Sequence, residues 1–76
     1  MSDENDVMST ADRLIYMANQ IARNLAAQGP DEAATATAQH IRDFWDPRMK
    51  QMLKDNGARG LSPIAAAALD RLNAKA

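Results

Sequence analysis

Residues 44–49, Phe-Trp-Asp-Pro-Arg-Met, constrain this chain more than any other stretch. A proline disfavours the α conformation in the residue before it and holds its own φ near the helical value. Asp46-Pro47 therefore ends one helix and begins another. The Asp46 carboxylate is placed to cap the amides of Met49 or Lys50, and Pro47 suits the first helical position. Phe44 and Trp45 are the only phenylalanine and tryptophan of the chain, and they sit side by side on this corner. Neighbours on a helix point about 100° apart. One ring therefore belongs to a small core, and the other is left for something outside the chain. The spacing leaves open which is which.

The flanking segments read as helices. Ser9-Thr10-Ala11-Asp12 has the form of a helix start, with Asp12 in the first turn where the helix dipole favours an acid. Leu14, Met17, Ala18, Ile21 and Leu25 then recur at spacings of three and four, and Ile15, Ala22 and Ala26 widen that stripe. Asn19, Gln20, Arg23 and Asn24 form the polar face. Gly29-Pro30 ends this helix near Gln28. Asp31 is the expected cap of a second helix, with Glu32 in its first turn. Ala34, Ala38, Ile41 and Trp45 make a seam whose small residues allow the first helix to approach closely. Phe44 lies on a neighbouring stripe with Thr37 and Ile41.

A third helix runs from Pro47 to about Asn56, with Met49, Met52 and Leu53 as its apolar side. Gly57 is the expected left-handed terminator, and Ala58-Arg59-Gly60 a loop. Ser62-Pro63 repeats the cap-then-proline device before a fourth helix carrying Ile64, Ala68, Leu69 and Leu72. Sixteen alanines against three glycines favour helix, and no alternating β-branched run suggests a strand. The expected fold is all-α: a small bundle of three to four helices, with helices 1 and 2 as an antiparallel hairpin followed by two short helices. Residues 1–8 read as a disordered acidic tail, residues 9–74 as one helical domain, and the last four residues as a fraying end.

Composition narrows the function. At 76 residues the chain makes one domain, and a domain of that size buries only about 60–65% of its unfolded surface. With no cysteine it has neither disulfides nor a thiolate metal site,. Docking on a larger partner or forming a homodimer is the stabilising device that remains. A net charge of −1 argues against a nucleic-acid partner,. No apolar run is long enough to span a membrane, and the acidic N-terminus is unlike a targeting peptide, so the expected location is the cytoplasm.

Few residues invite chemistry. His40 is the single histidine. It has Asp43 one turn later but no converging ligands and no nucleophile, so it reads as a surface or helix-end residue. Ser9 and Ser62 read as caps. Gly57 and Gly60 lack the preceding strand and following Lys-Ser/Thr of a phosphate loop. Met17, Met49 and Met52 read first as core. Arg48 stands in the first turn of a helix, where a cation is mildly unfavourable. It either stacks on Trp45, pairs with a partner's carboxylate, or is simply solvated.

Two segments resemble a known family. Met17-Ala18-Asn19-Gln20-Ile21-Ala22, and His40-Ile41-Arg42-Asp43-Phe44-Trp45-Asp46-Pro47-Arg48-Met49, are similar to the delta subunit of NAD-dependent formate dehydrogenases, the molybdenum- or tungsten-containing multi-subunit enzymes. Gly60-Leu61-Ser62-Pro63 and the helix after it extend the likeness over roughly residues 14–72. Where this chain has Arg23-Asn24-Leu25, the family often carries aromatics. The resemblance implies a non-catalytic accessory subunit that docks on the catalytic alpha subunit and supports its assembly, stability or cofactor maturation. It implies that the partners carry the bis-molybdopterin guanine dinucleotide, the iron–sulfur clusters and the flavin, and that this chain binds no cofactor. The candidate contact residues are Trp45, Arg48 and Met49, with Phe44 and His40 beside them and Asn19 and Gln20 as polar contacts. Asp46 and Pro47 fix the corner that presents them. The alternatives are a stand-alone, self-associating interaction module and, less in keeping with the residues, an enzyme or cofactor carrier in its own right.

Overall fold

The computed structural model describes residues 10–74. The acidic tail at 1–8, the Ser9 cap and the last two residues fall outside that range. Four helices follow in order: α1 (Thr10–Leu25), α2 (Pro30–Phe44), α3 (Pro47–Asn56) and α4 (Pro63–Asn73). Among the described residues there is no strand. α1 and α2 form the antiparallel hairpin, and two shorter helices complete the bundle.

Each later helix starts on a proline at its first turn. Asp46 accepts a hydrogen bond from the Met49 amide at 2.8 Å, and the Ser62 hydroxyl accepts one from the Ala65 amide at 3.3 Å. These are the side-chain caps expected before Pro47 and Pro63. The start of α2 differs from expectation. Asp31 is not its cap; it lies inside the first turn. Gly29 takes the cap position at φ 103°, with no side-chain bond, and Pro30 begins the helix. A short 3-10 turn over Ala26–Gln28 separates α1 from Gly29. Glycine is needed there because the chain reverses at a φ that L side chains rarely adopt. Asp31 instead stands near Arg71 of α4 at 3.6 Å, an exposed pair of small energetic consequence,.

The core follows the expected seams. Leu14, Ala18 and Ala22 of α1 meet Ala38, Ile41 and Trp45 of α2 and its end. Leu53 of α3 and Ala65, Ala68, Leu69 and Leu72 of α4 close the cluster, with Ile21, Met49, Met52, Leu61 and Ile64 packed at its edge. Alanine on both α2 and α4 lets these helices lie close together. Met17 does not join the core; it is exposed on α1. Thr37 is wholly buried, and its hydroxyl has no hydrogen-bond partner. A buried unpaired hydroxyl costs about 1–3 kcal/mol.

The α3–α4 junction is tied to α1 by one residue. The Asn19 side-chain amide donates to the Gly60 carbonyl at 3.0 Å, and its oxygen accepts the Ser62 amide at 2.8 Å. Asn56 closes the same loop locally by donating to the Gly57 and Arg59 carbonyls, each at 3.0 Å. Gly60, at φ 80°, lies so near α1 that an added Cβ would meet Ile15 Cγ2 at 3.3 Å.

Candidate functional site

The elbow between α2 and α3 separates its two aromatic neighbours. α2 ends at Phe44, and Trp45 has already left the helix at φ −90°, ψ 140°, its amide still donating to the Ile41 carbonyl at 2.9 Å. The break thus falls one residue earlier than the proline rule alone suggests. It turns Trp45 inward to 5% exposure and leaves Phe44 at 73%. This reverses the order of the expectation that put Trp45 first among the contact residues. An indole packed with Leu14, Ile41 and Leu53 is core in this fold. Phe44 is the ring offered to the outside.

His40 lies one turn before Phe44 on α2. Their ring centroids are 4.8 Å apart with planes tilted by 44°, a spacing within the range of favourable aromatic contacts. The Asp43 carboxylate, one turn after His40, is taken by Gln39, which donates to both its oxygens at 3.0 Å. Arg42 donates to the Gln39 side-chain oxygen at 3.4 Å. Lys50 reaches back from α3 to the Arg42 carbonyl at 3.1 Å, satisfying an orphan acceptor in the last turn of α2,. Arg48 is exposed and makes no hydrogen bond or ion pair with a described residue. Met49, half-buried, packs on the core. The corner held by Asp46 and Pro47 thus presents Phe44, His40 and Arg48, whereas Trp45 and Met49 serve its interior.

The other two candidate residues stand on a different surface. Asn19 and Gln20, with Ala22 and Arg23, form one wall of a cleft of about 420 Å³ between α1 and the start of α4; Ser62, Pro63 and Ile64 form the other. Asn19 uses both ends of its amide inside the chain, so its role is to hold that wall in place. Gln20 is half-buried on the cleft's edge. Tyr16, 54% exposed on α1, escaped the sequence reading. It lies off the apolar stripe, and an aromatic on a polar face was the signal available.

Among the described residues no group of three His, Cys, Asp or Glu side chains is placed to hold a metal ion. No helix of these residues is long and apolar enough to cross a membrane. Residues 13–69 match the family model described as NADH-dependant formate dehydrogenase delta subunit FdsD. That span includes the whole elbow and both walls of the cleft. Among curated proteins and among solved structures nothing matches this chain.

Proposed function

This chain belongs to the NADH-dependent formate dehydrogenase delta subunit family, and on that premise we propose that it is a non-catalytic accessory subunit docking on the catalytic alpha subunit in the cytoplasm. Its task is to cover partner surface and so support assembly, stability or cofactor maturation of the complex. The observation that carries the docking site is the exposure of Phe44 beside a buried Trp45. Phe44 is the most exposed large hydrophobic side chain among the described residues. Burying such a ring in a partner is worth about 1.5–3 kcal/mol. The His40 ring lies tilted against it, and Arg48 supplies a guanidinium of the kind that dominates interface hot spots.

The chemistry of formate oxidation is assigned to the partners. Having no cysteine, this chain supplies no thiolate for an iron–sulfur cluster. On this proposal the pterin cofactor, clusters and flavin stay in the larger subunits, and the chain here contributes shape and contact area. Affinity capture of the tagged full chain from its native cells tests the proposal. Co-recovery of the formate dehydrogenase alpha subunit is the expected outcome. Its absence from the captured material, with the tagged chain folded, would overturn it.

A further inference from the structure

The charges of the elbow are unevenly spent, and this decides what kind of surface it fits. From Gln39 to Lys50 the fully charged side chains are Arg42, Asp43, Asp46, Arg48 and Lys50. Both carboxylates are occupied within the chain. Asp43 accepts two bonds from the Gln39 amide, and Asp46 accepts one from the Met49 amide. Arg42 donates to the Gln39 side-chain oxygen, and the Lys50 ammonium donates to the Arg42 carbonyl. Arg48 is exposed and makes no hydrogen bond or ion pair with a described residue. Among the described residues of the elbow, it is the one charge left without a partner.

Its position adds to this. Arg48 is the second residue of α3, where the helix dipole opposes a cation. Local helix energetics therefore do not favour a guanidinium there. It follows Phe44 by four residues, so the two Cα atoms lie within about 13 Å of each other. An interface patch of about 800 Å² per partner is about 30 Å across, wide enough to hold both side chains. The apolar end of that patch is the exposed Phe44 ring, with the exposed His40 ring 4.8 Å away.

We propose that the elbow recognises a partner surface in which an apolar recess for the Phe44 ring lies beside an Asp or Glu side chain that Arg48 grips. This rests on the docking reading above and specifies its chemistry. A carboxylate matches the planar fork of a guanidinium, which donates two parallel N–H bonds to its two oxygens. A partner cation in that place would meet Arg48 with nothing to offset it, because the acids of the elbow are engaged. For the same reason, an elbow facing a second copy of itself offers the guanidinium no free carboxylate.

The test measures binding of the full chain to the purified formate dehydrogenase alpha subunit at low and high salt, with melting recorded for each variant. Arg48→Gln is expected to bind about tenfold weaker and Arg48→Glu about a hundredfold weaker. Arg48→Lys should fall between Arg48→Gln and the wild type, since it keeps the charge and loses the fork. All three should melt like the parent or slightly higher, as a cation leaves or stays in the first turn. High salt should narrow the gap between wild type and Arg48→Gln, whereas Phe44→Ser should weaken binding equally at both salts. Reversing the alpha subunit's surface acids to lysine, one at a time, should reveal one that restores binding to Arg48→Glu. If Arg48→Glu binds like the wild type while Phe44→Ser binds weakly, the carboxylate is overturned and the docking reading stands. Tighter binding by Arg48→Glu, or a loss that no acid reversal restores, would also overturn it. If neither variant changes affinity, or the wild type does not bind, docking through the elbow fails and this inference with it. A wild-type dimer that Arg48→Glu disperses in sedimentation would move the contact to a second copy and overturn the proposal.

Discussion

The α2–α3 elbow and the α3–α4 junction are both tight turns between helices, and they are held in opposite ways. The elbow is local. Asp46 caps an amide three residues on, and Lys50 reaches a carbonyl eight residues back. The junction depends on Asn19, which lies 41 residues from Gly60 and 43 from Ser62. A locally held corner forms wherever its few residues occur and can display a side chain such as Phe44 without help. The junction has local bonds of its own through Asn56, but its tie to α1 runs through Asn19 alone among the hydrogen bonds of the described residues, so the cleft it borders is a property of the assembled bundle. The difference teaches that the two surfaces should fail separately.

Substitutions at five positions would break or sharpen that contrast. The largest effect is expected at Trp45. Trp45→Ala should cost about 3–5 kcal/mol, the range for truncating a large buried ring. In a domain of this size each kcal/mol moves Tm by about 4–8 °C, so melting should fall by more than about 12 °C. Phe44→Ala, one residue away, should stay within about 0.5 kcal/mol of the parent because it changes a solvated side chain. Similar melting losses for the two variants would erase the inside–outside division of the elbow.

Asn19→Ala comes next. It leaves the Gly60 carbonyl and the Ser62 amide without their partner, at a cost of about 1–3 kcal/mol. Hydrogen exchange should quicken at Ser62 while Met49, at the elbow, stays protected. Loss of protection at both places would mean that the two turns are one cooperative unit. Asp46→Ala should cost about 1 kcal/mol, the usual value of an N-cap, and it should loosen the start of α3 only. Calorimetry with exchange at the Met49 amide reads this directly. The last substitution concerns Thr37, which belongs to neither turn. Thr37→Val removes a buried hydroxyl that has no partner, so stability should hold or rise by up to about 1 kcal/mol. A drop in Tm would show that the hydroxyl is bonded.

The uneven legibility of the sequence follows from the same contrast. Prolines and caps act over three or four residues, so the limits of α3 and α4 and the buried seam Ala34, Ala38 and Ile41 could be read directly. Asp31 misled because it is a good cap in isolation, while Gly29-Pro30 already supplied a start that needs no side chain. The sense of the Phe44–Trp45 split was hidden. Two neighbours 100° apart share the same pattern, and the rotation is decided where Trp45 leaves the helix. Asn19 on a polar face looked free for a partner, because nothing in local spacing reveals an acceptor 41 residues away. The cleft was invisible for that reason.

The account rests on Phe44 being a docking anchor that folding does not use. The direct measurement is the affinity of the purified alpha subunit for the wild-type chain and for Phe44→Ser, with melting recorded for both. Loss of an anchor worth about 2 kcal/mol weakens binding roughly thirtyfold, and that is the expected change, with Tm held. Unchanged affinity in a variant that melts like the parent would contradict it.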